Sequence, residues 1–277
     1  MNCKVLVFSD LDGSLLDHDS YSYAPALPML TELEKTGTPV ICCTSKTRRE
    51  LLDFRSEIKN SHPFIAENGA AIFIPKDYFQ DPPEDCEIQG DYRVRAFCKP
   101  RQYWQEIINR KREAFPDAFL SFADAGVERI AEMTGLSMEQ ANAASQREYG
   151  EPLKWLADEQ TLNKFIATMK KEGANVLVGG RFVHVSGAID KGRALTWLVS
   201  QYQAQTFEKC ISIAAGDSGN DIAMLEAADF ALVIRSPAHD FPQLKRIDGV
   251  VYSKEYGPQG WAEGIGQLLA EIHQDKL

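Results

Sequence analysis

The chain's most chemically suggestive string is Ser9-Asp10-Leu11-Asp12-Gly13-Ser14. It follows an apolar, β-branched run at residues 4–8, so it falls where a strand should end. Side chains at i and i+2 of an extended segment share a face, which lets Asp10 and Asp12 converge on one point. Gly13 permits a sharp backbone turn behind them. A turn with Asp at capping positions explains the same string without any chemistry. Taken alone, the string is balanced between the two readings.

Three further strings carry suitable groups. In Cys43-Thr44-Ser45-Lys46, at the end of a second apolar run, a Thr hydroxyl and the amides of a helix start could hold a phosphate oxygen. Thr or Ser before a helix is more often only an N-cap. Asp190-Lys191-Gly192 opens a helical pattern. The start of a helix is electrostatically unfavourable for Lys, so Lys191 gains meaning if its ammonium points at bound anionic charge; otherwise it is a solvated surface residue. Gly216-Asp217-Ser218-Gly219-Asn220-Asp221 follows the apolar run CISIAA. Its carboxylates could form a hard-oxygen cation site, and Asn220 could equally cap the next helix. The string is not a dinucleotide GxGxxG, and no Walker-type loop occurs in the chain.

The elements that must position these groups alternate. Residues 4–8 read as a strand, 24–36 as a helix, 38–43 as a strand, 46–59 as a helix and 64–74 as a third strand. The strands are almost wholly apolar, which predicts a parallel sheet covered on both faces. The last third repeats the pattern, with helices at 190–203, 220–228 and 259–273 and strands at 210–215 and 229–234. Residues 75–90, rich in Pro and Asp, read as a linker. Beyond it, strand-like runs at 91–98, 147–155, 174–178 and 181–186 mix with helical patterns at 101–114, 124–133, 137–146 and 158–171. The expected fold class is α/β: a Rossmann-like parallel-sheet core with an inserted α+β cap domain. The core is expected at 1–85 and 187–277, and the insertion at 86–186.

Composition narrows the function. A chain of 277 residues suggests about two domains. The balance of 30 Lys+Arg against 40 Asp+Glu gives −10, and an acidic chain without a basic block is a poor partner for nucleic acid or an anionic membrane. No apolar run is long enough for a membrane span, and the N-terminal residues lack the pattern of a signal peptide. Six cysteines without CxxC spacing read as thiols in a reducing cytoplasm, not as a zinc site. His18, His62, His239 and His273 show no metal-ligand spacing and receive no role. Trp104, Trp155, Trp197 and Trp261 could include a ring that stacks on a sugar, although core packing is their commoner use.

Taken in order, DxD, Thr, Lys and GDxxND resemble the motif set of the haloacid-dehalogenase-like hydrolase superfamily, over residues 1–75 and 187–240. TSKTR at 44–48, ENGAAI at 67–72, REYGEP at 147–152 and GGRFVHVSG at 179–187 are further similar to the mannosyl-3-phosphoglycerate phosphatases. ENGA is shared across the wider subclass, and the REYGEP and GGRFVHV segments discriminate more. Ser14 stands where many members of the superfamily carry Thr.

The resemblance implies a phosphatase that works through an aspartyl-phosphate. Asp10 would be the nucleophile and Asp12 the general acid and base. Mg²⁺ would be held by Asp10, the Asp12 carbonyl and Asp217, while Asp221 would bind through water or orient Lys191. Thr44 and Lys191 would hold the phosphoryl oxygens, with Asn220 also in contact. Ser45, Lys46, Arg48, Arg147, Arg181 and His184 are the candidate substrate-binding residues; each Arg could instead be a solvated or paired surface group, and His184 could simply fill a strand face. The expected substrate is a small phosphorylated sugar or glycosyl glycerate, foremost mannosyl-3-phosphoglycerate. A glucosyl ester, another sugar phosphate or a phosphomutase reaction on the same core are the alternatives. A non-enzymatic binding module is disfavoured because the full motif set is present. Oligomeric state is left open.

Overall fold

The computed structural model describes residues 3–179, 181–206 and 209–274. Gly180, within the GGRFVHV segment, lies outside the described residues. The chain divides into two compact units, one of residues 1–44, 60–95 and 190–277 and another of 45–59 and 96–189.

The first unit is built on a five-stranded sheet. Its order is Val250–Tyr256, Phe230–Arg235, Lys209–Gly216, Cys3–Ser9 and Val40–Cys42, with every pairing parallel. The central strands are almost continuously buried, which is why they read as unbroken apolar runs. The edge strand Val250–Tyr256 differs. It is mostly exposed and carries Lys254 and Glu255, polar groups that discourage pairing with another chain, so its sequence shows no apolar run. The closing helix Gly257–Gln274 buries Trp261, Ile265, Leu268 and Ile272 at helical spacing. A Cβ on its Gly264 would lie 2.3 Å from a Leu232 methyl, so the helix approaches the sheet more closely than any side chain allows.

The structure corrects the reading of residues 64–74 as one strand. They fold into an antiparallel hairpin of Phe64–Ala66 and Ala71–Pro75. The hairpin belongs to a separate four-stranded sheet with Tyr92–Ala96 and Glu87–Gln89. Its turn takes Glu67, Asn68 and Gly69 through positive φ values of 49°, 60° and 90°, so two non-glycine residues occupy a conformation that is normally left to Gly. The expected linker 75–90 likewise contains a strand, Glu87–Gln89, paired antiparallel with Tyr92–Ala96.

The second unit is an antiparallel sheet ordered Phe119–Ser121, Glu151–Trp155, Val183–Ser186 and Asn175–Val178. One core cluster joins Trp104, Ile107, Phe115, Phe119, Leu153, Phe165, Met169, Val183 and Val185. It unites one sheet face with the helices Arg101–Lys111 and Glu159–Lys171. Glu151 is 1% exposed yet fully engaged. Its carboxylate accepts from Arg101 Nε at 2.5 Å, Gln105 at 2.8 Å and the Ala123 amide at 3.0 Å, the arrangement a buried charge requires. The fold is thus α/β, a parallel-sheet core interrupted by an α+β insertion.

Candidate active site

Asp10 follows the first strand directly, and its amide donates to the Ala215 carbonyl of the neighbouring strand at 2.8 Å. The chain then turns back on itself: the Ser14 and Leu16 amides donate to Leu11 O at 3.0 and 2.8 Å. Gly13 makes the turn at φ +78°. A Cβ there would sit 2.6 Å from Asp217 Oδ2, so only glycine lets the two loops meet.

Lys191 opens the helix Lys191–Thr206 and is 1% exposed. The Asp190 carboxylate accepts from the amides of Gly192 and Arg193 at 2.7 and 3.2 Å and so caps that helix. The Glu67–Gly69 turn fixes its start: a Cβ on Gly69 would be 2.4 Å from the Asp190 carbonyl. Lys191 Nζ donates to Asp10 Oδ1 at 2.7 Å and to Asp221 Oδ1 at 2.6 Å. Burial alone would lower the ammonium's pKa, but the Asp10 and Asp221 carboxylates outweigh it and hold the pKa above its ordinary value. Lys191 therefore points at buried negative charge, not at solvent.

Asp10, Asp217 and Asp221 are all buried, and each offers an oxygen within 4.8 Å of the others. Burial pushes the Asp10 carboxyl well above its usual range, and repulsion from Asp221 adds to this despite Lys191 beside it. Asp12, half-buried and outside that trio, adds a smaller repulsion. Burial, then Asp221, raises Asp217 to about 6. One lysine does not neutralise this many carboxylates, and the hard oxygens present suit a divalent cation such as Mg²⁺. The carboxylates are not equivalent. Asp221 Oδ1 faces Lys191, and its Oδ2 accepts from the Asp217 and Ser218 amides at 3.2 and 3.1 Å. Both its oxygens are occupied, which leaves Asp10 and Asp217 as the better pair for an ion.

Thr44 is 1% exposed. Its amide donates to Ile65 O at 3.1 Å, and its carbonyl accepts from the Asn68 amide at 2.9 Å. The capping role that competes with a phosphate role falls instead to Thr47, which forms a reciprocal capping box with Glu50 at the start of Arg48–Glu57. Asn220 is exposed, and its Nδ2 donates to Asn68 Oδ1 at 3.0 Å.

The remaining candidates lie in the second unit. Arg147 Nη2 donates to the Ser45 carbonyl at 3.1 Å, and Arg48 pairs with Glu148 at 2.8 Å. Ser45 and Lys46 are half-buried. Burial, helped by the Arg147 guanidinium, lowers His184 to about 4. This brings Ser45, Arg48, Arg147 and His184 into one neighbourhood. Arg181 is exposed, and its Nη1 donates to Thr134 O at 2.8 Å, at the end of Phe122–Thr134. Trp104 and Trp261 pack in the interior.

Two residues in contact with these groups escaped sequence reasoning. Asn68 was visible only as part of the ENGAAI resemblance. His239, assigned nothing by spacing, has its Nε2 3.4 Å from Asp217 Oδ2.

Known proteins share this organisation. A family profile described as haloacid dehalogenase-like hydrolase matches residues 7–89, and one described as sucrose-6F-phosphate phosphohydrolase matches residues 130–268. A glucosyl-3-phosphoglycerate/mannosyl-3-phosphoglycerate phosphatase of Methanococcoides burtonii is 37% identical over 97% of this chain and 98% of its own. A protein of the same description from Persephonella marina is 32% identical over 98% of this chain and 99% of its own. Among solved structures, a Thermoplasma acidophilum protein superposes with a TM-score of 0.67 at 15% identity, covering 97% of this chain and 99% of that one. The sucrose-phosphatase of Synechocystis, in complex with sucrose and phosphate, gives 0.58 at 15% identity, covering 96% and 98%. These two likenesses are of fold. The sequence identity to the curated relatives runs through both units, and it places the chain in the haloacid dehalogenase-like hydrolase family, among the phosphoric monoester hydrolases.

Proposed function

We propose that the protein is a Mg²⁺-dependent phosphatase that hydrolyses mannosyl-3-phosphoglycerate to mannosylglycerate and phosphate. The observation that carries the chemistry is the double contact of Lys191 with Asp10 and Asp221 at the carboxyl edge of the sheet. The substrate class follows from the names of the two relatives above. Those names pair the mannosyl with the glucosyl ester, which favours glucosyl-3-phosphoglycerate as a second substrate.

In this reading an Asp10 oxygen attacks phosphorus and the ester P–O bond breaks. Asp12, as the acid, delivers its proton to the departing alkoxide. Water then attacks the phosphorus of the aspartyl-phosphate, Asp12 takes the proton, and Asp10 is regenerated as phosphate leaves. Thr44 and Lys191 hold the phosphoryl oxygens while charge moves among them. Mg²⁺ on Asp10, Asp217 and the Asp12 carbonyl would supply the countercharge that lets a carboxylate approach a phosphate dianion. Asp221 orients Lys191.

An inserted cap over residues 86–186 would read the glycosyl part of the substrate. Arg147, Arg181 and His184 are its assigned residues, with Ser45, Lys46, Arg48 and Asn220 assigned to the substrate from outside that insertion. The product would be a glycosyl glycerate, and the setting the cytoplasm. The six cysteines are free thiols, and no helix among the described residues is long and apolar enough to cross a membrane.

The test is phosphate release from mannosyl-3-phosphoglycerate, glucosyl-3-phosphoglycerate, 3-phosphoglycerate and hexose phosphates, with and without Mg²⁺. Preference for the glycosyl glycerate esters is expected. Equal rates on hexose phosphates would remove the narrow substrate assignment and keep the phosphatase.

A further inference from the structure

The carboxyl edge of the parallel sheet carries a second polar opening beside the carboxylate cluster. A cavity of about 640 Å³ is lined by Arg235, His239, Asp240, Lys254 and Tyr256 with their neighbours. Arg235 ends the strand Phe230–Arg235, whose Val233 pairs with Gly216, the residue before Asp217. The cavity therefore lies one strand over from Asp217, on the edge where open parallel sheets take ligands. His239 joins the two places, since it lines the cavity and its Nε2 is 3.4 Å from Asp217 Oδ2.

The lining is built for an anion. The Arg235 guanidinium lies 4.7 Å from the centre of the Tyr256 ring, and its Nη1 donates to Lys254 O at 3.3 Å. Stacking on an aromatic face fixes the plane of the guanidinium, and four of its five donors remain for a ligand. Neither Arg235 nor Lys254 takes part in an ion pair among the described residues. Asp240 is the lone carboxylate among the lining residues, so the permanent cations outnumber it.

We propose that this cavity binds the carboxylate of the phosphorylated substrate, with Arg235 and Lys254 reading the anion and His239 at the boundary with the reacting centre. The inference rests on the phosphatase reading above and deepens it by naming the residues that would read the carboxylate of a phosphoglycerate-type ester. Two such anions on one small substrate repel each other, so binding both is helped by cations apart from those on the phosphate. A free carboxylate acting as a regulator has the same chemistry, and the test separates the two.

The experiment is competition against hydrolysis of p-nitrophenyl phosphate by the full chain with Mg²⁺. The probes are 3-phosphoglycerate and glycerol 3-phosphate, which differ only by a carboxylate in place of a hydroxymethyl group. The wild-type protein should bind the first about tenfold more tightly. Arg235→Gln and Lys254→Gln should each remove most of that preference by weakening 3-phosphoglycerate alone. No preference in the wild type, a preference kept by both variants, or equal weakening of both probes would overturn the proposal. So would malonate that changes the maximal rate without competing, which is the behaviour of a regulator. The glycosyl assignment fails separately, if neither glycosyl ester is hydrolysed whatever the ratio of the two probes.

Discussion

Lys191 and Asp10 form a buried ion pair, with Nζ 2.7 Å from Oδ1. Their burial is nearly complete, and Asp221 shares the same ammonium at 2.6 Å. Replacing the lysine as Lys191→Met leaves two buried carboxylates without this cation. Breaking a buried pair from one side costs about 3–5 kcal/mol. Urea unfolding of the variant should show a loss of that size. Turnover should fall by about 10²–10³, the usual effect of losing one donor to developing charge. An unchanged unfolding midpoint would mean that the carboxylates are solvated without it.

Asp217 and Asp221 should respond differently to loss of charge. Asp221 is engaged by Lys191 and two amides, whereas Asp217 borders the space between Asp10 and His239. Asp217→Asn should raise the Mg²⁺ concentration for half-maximal activity by at least about tenfold. Asp221→Asn should lower kcat and shift the Mg²⁺ requirement far less. Equal shifts from titrations of the two variants would make Asp221 a ligand on a par with Asp217.

Gly13 couples the turn after Asp10 to Asp217. An alanine there would strain the backbone at φ +78° and put its Cβ 2.6 Å from a carboxylate oxygen. The left-handed conformation costs about 1–2 kcal/mol. Displacing Asp217 by a fraction of an ångström should lower kcat/KM by up to about a hundredfold. Gly37→Ala is the control, because φ is +68° and a Cβ there meets nothing within 4 Å. It should lose stability only. Equal kinetics for the two variants would show that contact with Asp217 does not matter.

The core site was legible in the sequence because its charged residues fall at the ends of apolar strands, and strand ends are what periodicity locates best. Lys191 was recognisable only in combination, since a lysine at a helix start has no favourable reading until the carboxylates it faces are known. The hairpin at residues 64–74 was hidden because Glu67 and Asn68 adopt positive φ without being glycine. Strand Val250–Tyr256 was hidden because an edge strand need not be apolar. Asn68 and His239 reach the site through long-range contacts, one of them spanning 152 residues from Asn68 to Asn220, and no local pattern encodes such a pairing. Glu151 shows the converse. It stands in the REYGEP segment that suggests specificity, yet its carboxylate is spent on Arg101, Gln105 and the Ala123 amide.

His184 gives the second unit a pH dependence whose sign is fixed. Burial first, then the Arg147 guanidinium, lowers its pKa to about 4, so the folded protein holds the ring neutral. In the unfolded chain the same ring titrates near its ordinary value of about 6.5. Between these values the unfolded state binds more protons, so stability rises with pH across the window. The contribution is complete above about pH 6.5 and is lost as the pH falls towards 4. Carboxylates titrate over part of the same range, so the informative quantity is a difference between two proteins. On going from about pH 7.5 to about pH 4.5, the wild type should lose about 2 kcal/mol more than His184→Gln in urea unfolding. The packing lost with the ring is common to both pH values and cancels. Parallel losses in the two proteins would place His184 in contact with water in the folded state. A solvated ring would instead become protonated below about pH 6.5 and would there meet an anionic substrate as a cation.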